Sequence, residues 1–337
     1  MKIVYAGSPL ASALVLSKII EFSKNFNSQN NGNKIEIVGV LTNPPSAKGR
    51  SKELIPTEVS TLAKQNNIPV FEFEHLKAEE RNAIEPLKAD LLVTFDYGRI
   101  FGPKFLNLFR LGGINLHPSA LPKYRGCTPV PSAILNDEKE LGITVQKIAL
   151  EVDSGDILCQ EFVPLEKNDT TLSLMDGDGK SSKVTECGSR LIIEVLEKCA
   201  ELKENETLLG KKQAESSTYT NFLKKEDGII DWKNDASFIE RQIRAYTPWP
   251  LCSTIFNGQK LTVLKAEQLK TEEEKSSQNE TFVPGQILSF RKNIGIEIAC
   301  GKNTILVVKE LQLQGKKAMD YKSFVNGAKN FFGSILG

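Results

Sequence analysis

The chain has 337 residues, a formal net charge of +1, 40% hydrophobic and 25% charged residues, the composition of an ordinary globular protein with room for two domains. No apolar run approaches the roughly 20 residues that cross a bilayer, and the start, MKIVYAG, reads as a first strand and not as a secretory leader. Six scattered cysteines without a CxxC pair, and two histidines that do not cluster, speak against a zinc site and for a reduced, cytoplasmic chain without metal.

Residues 2–6 form a short apolar run ending at Gly7, followed by a helical pattern to about residue 20 and a polar loop over 25–34. Strands then follow at 35–41, 70–73, 90–95 and 113–116, with helices at 56–65, 78–87 and 103–109 between them. Apolar strands alternating with helices define an α/β, doubly wound and mostly parallel sheet covered on both faces. Ligands of such sheets bind beyond the carboxyl ends of the strands. Gly7, Thr42, residues 95–98 and residues 115–117 should therefore gather on one edge. Gly7-Ser8-Pro9 lacks the GxGxxG spacing that seats a pyrophosphate, which argues against a dinucleotide cofactor. The loop TNPPSAKGRSKELIP, residues 42–56, is long, and its Lys48, Arg50 and Lys52 suit a basic finger reaching a phosphate backbone.

The stretch GGINLHPSALPKYRGCT, residues 112–128, carries the chemistry. Residues two apart on a strand point the same way, so Asn115 and His117 present an amide and an imidazole to one centre. An amide holds a developing oxyanion and an imidazole moves a proton near neutral pH. No nucleophile stands beside them, which suits direct acyl transfer to an amine. Strands at 141–148 and 157–163 flank EVDSGD, residues 151–156, where Asp153 is the first candidate to orient His117, with Glu151 and Asp156 as alternatives.

Residues 172–196 are helical, interrupted at 176–182 by DGDGKSS, which lacks the remaining ligands of a calcium loop and the leading glycine of a P-loop. A polar linker, 201–217, separates a first domain, 1–200, from a second, 218–337. The second opens with a helix at 236–245 and TPWP at 247–250. Short strands follow at 253–256, 260–265, 285–290, 295–299 and 304–311, with an acidic loop at 271–280 and a basic end at 316–329. This pattern predicts a small barrel of the OB type, a fold that often handles nucleic acid. From Lys211 onward 19 basic residues stand against 14 acidic ones, a balance that permits an anionic partner.

Four motifs carry a resemblance over nearly the full length: NLHPSALPKYRGCTPV at 115–130, EVDSGDIL at 151–158, IDWKNDASFIERQIRAYTPWP at 230–250 and LQLQGKKAMDYKSFVNG at 311–327. The chain resembles the methionyl-tRNA formyltransferases, within the wider 10-formyltetrahydrofolate-dependent formyltransferase family. The resemblance implies a Rossmann-like domain followed by an OB-like barrel. It also implies a monomeric enzyme that uses 10-formyltetrahydrofolate as co-substrate and methionyl initiator tRNA as acceptor. Carried over residue by residue, it assigns catalysis to Asn115, His117 and Asp153. Folate contact falls to Ser119, Ala120, Leu121 and Pro122, with Phe95, Tyr97 and Gly98 near the pterin. tRNA contact falls to Lys48, Arg50, Lys52, Arg125, Lys316 and Lys317. Departures from the family pattern are Ala120, the Lys123-Tyr124 pair, Asp96, a less basic loop at 46–53 and the insertion at 177–182. Formyltransferases acting on an amino sugar nucleotide or a glycinamide ribotide share the first two motifs. A non-catalytic RNA-binding module is the alternative from another class.

Overall fold

A computed structural model describes residues 1–29, 33–47, 52–269, 282–328 and 331–337. Lys48, Arg50 and the loop expected at 271–280 lie outside the described residues. The chain divides into two units, the first made of residues 1–129, 140–164 and 173–220, the second of 130–139, 165–172 and 221–337.

The first unit is built on strands β1 (Lys2–Ala6), β2 (Glu36–Thr42), β3 (Val70–Glu72), β4 (Leu91–Thr94), β5 (Gly113–His117), β6 (Glu140–Lys147) and β7 (Ile157–Pro164). They form one sheet in the order β7-β6-β5-β4-β1-β2-β3. The first five strands are parallel, while β6 runs antiparallel to β5 and β7 to β6. The run from Ile3 to Ala6 is buried throughout, as a strand covered on both faces requires. Alternation divides it. Val4 and Ala6 join Leu41 and Leu92 in a core with Ile84, Phe101, Phe105 and Phe109. The intervening Tyr5 donates from its hydroxyl to the Ser12 carbonyl, at 2.8 Å, in helix α1 (Leu10–Gln29). Helix α2 (Glu58–Gln65) starts at Thr57, whose hydroxyl oxygen accepts the Ser60 N–H at 3.0 Å.

Helix α1 runs well past residue 20, where the sequence pattern predicts its end. Phe22 and Phe26 pair at 5.4 Å between ring centroids, and the Asn27 amide exchanges two 2.8 Å hydrogen bonds with the Ile35 backbone. These contacts hold a polar segment helical that local propensity alone would release. The insertion at 177–182 is a closed turn. The Asp178 carboxylate accepts the Lys180 and Ser181 N–H groups, and Ser182 caps helix α3 (Lys183–Glu201).

In the second unit, helix α4 (Ala236–Ala245) matches its predicted span. Asp235 caps it, and the Ser237 hydroxyl, then the Lys302 ammonium and the Phe238 N–H, hold the Asp235 carboxyl far below the usual carboxylate range. Arg241 donates to the Leu135 carbonyl and Arg244 to that of Asp169, so two segments from earlier in the chain, 130–139 and 165–172, complete this unit. Strands β8 (Cys252–Phe256), β9 (Gln259–Gln268), β10 (Ile287–Arg291), β11 (Gly295–Ala299) and β12 (Ile305–Leu313) form an antiparallel sheet in the order β8-β9-β12-β11-β10. The short strand Met319–Asp320 extends it beside β12. Among the described residues no helix is long and apolar enough to cross a membrane.

Candidate active site

The predicted strand ends meet at one edge of the first sheet. Ser8, after β1, accepts the Asn43 N–H at 3.1 Å; Asn43, after β2, donates its amide to the Tyr97 carbonyl at 3.2 Å and accepts from Arg99 Nε at 2.8 Å. Strand β5 delivers Asn115 and His117 to this edge, paired in register with Gln146 and Thr144 of β6. His117 is 5% exposed, and Thr144 and Gln146 are fully enclosed.

The turn between β6 and β7 selects among the three candidate acids. Asp153 places Oδ2 3.7 Å from His117 Nδ1. Oδ2 also accepts the Gly126 N–H at 2.8 Å, and Oδ1 accepts from Gln146 Nε2 at 2.8 Å and from Asn115 Nδ2 at 3.3 Å. Glu151 is exposed and accepts instead from the Tyr219 hydroxyl at 2.7 Å. Asp156 fixes the turn through its backbone, its carbonyl accepting the Lys147 N–H at 2.9 Å. Asp153 sits at φ +51°, in the left-handed region, a conformation that persists in a non-glycine residue only where surrounding bonds enforce it. Gly155 is required two residues on, because a Cβ there would overlap the Lys147 carbonyl oxygen.

His117 Nε2 lies 2.9 Å from the Tyr124 carbonyl, which can only accept, so Nε2 carries a proton in this geometry. Among the described residues, the Asn115 amide has one N–H on Asp153 and one left for an incoming oxygen. The thiol nearest this carboxylate, Cys127, is pushed up by burial and then by the Asp153 charge, which keeps it in the un-nucleophilic protonated form. An amide donor, a proton-bearing imidazole and an orienting carboxylate, with no activated nucleophile among the described residues, equip the site to stabilise a tetrahedral intermediate formed by direct attack on a carbonyl.

The expected folate residues are placed unequally. Ser119 is buried, bonded through its hydroxyl to the Lys123 carbonyl at 2.6 Å; Leu121 is buried, and Leu121-Pro122 is a cis peptide. Ala120 packs against Gly142, where a Cβ would overlap the Ala120 backbone. Phe95 and Tyr97 bury their rings, Tyr97 stacking on Phe101 at 5.4 Å, so only their backbone is available to a ligand. Gly98 is exposed at φ +77° with open space beside its Cα.

Of the expected tRNA contacts, Lys52, Lys316 and Lys317 are exposed. Arg125 is not: its guanidinium bonds Gln213 Oε1 through Nε at 3.0 Å and Nη2 at 2.8 Å, and the Tyr219 hydroxyl through Nη1 at 2.8 Å. Its guanidinium is committed to these internal partners. Gln146, Gln213 and Tyr219 belong to the site and were not singled out from the sequence. The polar pair Thr144 and Gln146, two apart within the apolar run of β6, was the available signal for Gln146. Among the described residues no group of three or more His, Cys, Asp or Glu side chains is placed to hold a metal.

Fold and site together define an acyl-transfer enzyme working at the carboxyl edge of a doubly wound sheet, and comparison with known proteins narrows that class. Residues 10–196 match the family described as formyl transferase, and residues 223–329 match the formyl transferase C-terminal domain. The chain belongs to the formyl transferase family. It is 38% identical over 343 residues to a methionyl-tRNA formyltransferase of Treponema denticola, covering 98% of each chain. It is 35% identical over 337 residues to one of Borreliella burgdorferi, covering 100% of this chain and 99% of that one. In fold it is similar to an N-formyltransferase of Helicobacter canadensis in complex with folinic acid and dTDP-3-aminofucose. That match has a TM-score of 0.60 at 21% identity and covers 91% of this chain and 98% of that one. HypX of Aquifex aeolicus in complex with tetrahydrofolic acid gives a TM-score of 0.60 at 14% identity, covering 99% of this chain and 48% of that one.

Proposed function

We propose that the chain transfers the formyl group of 10-formyltetrahydrofolate to the α-amino group of methionyl initiator tRNA, with Asn115, His117 and Asp153 as its catalytic residues. The observation that carries this reading is the convergence of those three side chains at one sheet edge, in a chain that aligns end to end with relatives named for that activity. The neutral amine attacks the formyl carbon directly. The second Asn115 N–H takes the oxyanion. The intermediate collapses with cleavage of the bond from the formyl carbon to N10. His117 exchanges the Tyr124 carbonyl for N10 and hands over the Nε2 proton, and the proton shed by the amine restores it. Asp153 holds the imidazole for both steps.

Folate lies against the backbone of residues 119–122 and 95–98, where the open space at Gly98 supports the fit. The formyl-transfer groups lie within residues 1–200, and residues 218–337 contribute to tRNA contact, with the connector 201–217 between them. Lys52, Lys316 and Lys317 meet phosphates from the exposed surface, together with Lys48 and Arg50. The enzyme works as a cytoplasmic monomer.

An acceptor panel tests the substrate. With 10-formyltetrahydrofolate as donor, methionyl initiator tRNA should be formylated, and its KM should rise steeply with salt because phosphate contacts release counterions. Turnover of an amino sugar nucleotide or glycinamide ribotide in its place would keep the chemistry and overturn the acceptor. No turnover with any of them would leave the RNA-binding module.

A further inference from the structure

Residues 211–220 contain none of the expected catalytic groups, yet they touch both functional turns. Lys211 and Ile157 exchange two backbone hydrogen bonds of 2.8 Å, at the end of the turn that carries Asp153. Thr218 accepts the Tyr124 N–H through its hydroxyl at 2.8 Å and the Arg125 N–H through its carbonyl at 2.9 Å. Tyr219 and Thr220 pair in parallel with Arg125 and Gly126. Gly126 is itself required, because it lies at φ +101° and a Cβ would overlap the Thr220 carbonyl oxygen.

Gln213 sits between the two turns. Its Oε1 receives two N–H groups of the buried Arg125 guanidinium. Since that guanidinium only donates, the amide orientation is fixed, and Nε2 must face the opposite way. There it donates to the carbonyls of Asp153 and Gly155, both at 2.8 Å, with Gln146 Oε1 at 3.2 Å. These bonds grip the backbone of the residue held in the left-handed region, whose carboxylate faces His117. Tyr219 anchors the other end of the same turn through its hydroxyl on Glu151.

We infer that Gln213, clamped by Arg125, is a positioning residue for the reaction: it holds Asp153 in its left-handed conformation and so aims the carboxylate at His117. This inference rests on the proposed catalytic role of Asp153. Arg125 thereby acts inside the protein and not on a phosphate.

The test is steady-state and single-turnover formylation of methionyl initiator tRNA by Gln213→Ala and Gln213→Glu, each also made in an Asp153→Asn background. Loss of a partner that orients a reacting side chain typically lowers rate by roughly 10–100-fold, so kcat should fall by that factor in Gln213→Ala. KM for both substrates should stay within about twofold, because no substrate contact is removed. Gln213→Glu keeps the shape and the Arg125 partner but cannot donate to the two carbonyls, so it should lose activity like the alanine variant; it also serves if the alanine variant fails to fold. In the Asp153→Asn background the Gln213 substitutions should add less than about twofold, since residues acting as a unit are non-additive. Full kcat in both Gln213 variants, or an undiminished further loss in the Asp153→Asn background, would overturn the inference while leaving the catalytic reading intact. Full kcat in Asp153→Asn alone would overturn both.

Discussion

The turns at 119–128 and 151–156 and the exposed lysines of the chain place charge in opposite ways. Around Asp153 the polar groups are tied to one another: Gln146, Gly126 and Asn115 donate to its carboxylate, and Gln213 to its carbonyl. Lys52, Lys316 and Lys317 instead stand in solvent. Buried bonds in a low-dielectric setting fix geometry before substrate arrives. Exposed ammonium groups supply long-range, salt-sensitive attraction and little geometry. The contrast supports the proposal that the first set governs rate and the second tRNA affinity.

Breaking the enclosed set should have the largest effect. His117→Ala removes the proton carrier, and single-turnover formylation should slow by roughly 10²–10⁴-fold, the usual worth of a positioned acid–base group. Gly155→Ala forces a Cβ against the Lys147 carbonyl oxygen and so displaces the Asp153 turn. Misplacement on the order of 1 Å can cost about a hundredfold, so kcat should fall by about that much with the circular dichroism spectrum unchanged. The exposed set should answer differently. Lys316→Ala with Lys317→Ala should raise the KM for tRNA severalfold, flatten its dependence on salt and leave kcat alone. A fall in kcat with unchanged KM would erase the distinction between the two sets.

The smallest expected effect lies in the second unit, at Asp235. Asp235→Ala removes the cap of helix α4 and should cost roughly 0.5–2 kcal/mol in denaturant melts at neutral pH. The Asp235 carboxyl is depressed in the folded state, so its contribution is full above the unfolded value of about 3.9 and is lost as pH falls below it. The difference between variant and wild type should therefore shrink as pH falls through and below 4.

Much of this was legible in the residues. The alternation of apolar strands and helices marked the elements along the first unit, though not the order in which its strands pair, and the spacing of Asn115 and His117 placed both on one face of β5. The sequence ranks Asp153 first but leaves Glu151 and Asp156 as rivals, because which side chain the turn aims inward depends on its folded geometry. Nor could it reveal the work of residues 211–220, whose polar composition resembles a connector. Arg125 and Gln213 lie 88 positions apart, and only the fold brings a guanidinium and an amide together there. The same distance hid the burial of Arg125, which composition alone groups with phosphate-binding cations.

We propose direct formyl transfer by Asn115, His117 and Asp153, gathered at one sheet edge. Single-turnover formylation of methionyl initiator tRNA by Asn115→Ala, with 10-formyltetrahydrofolate saturating, tests it most directly. Loss of one oxyanion donor costs roughly 10²–10³-fold, and the account predicts a fall of that size in a protein that melts like wild type. A folded Asn115→Ala variant that turns over at the wild-type rate would contradict it.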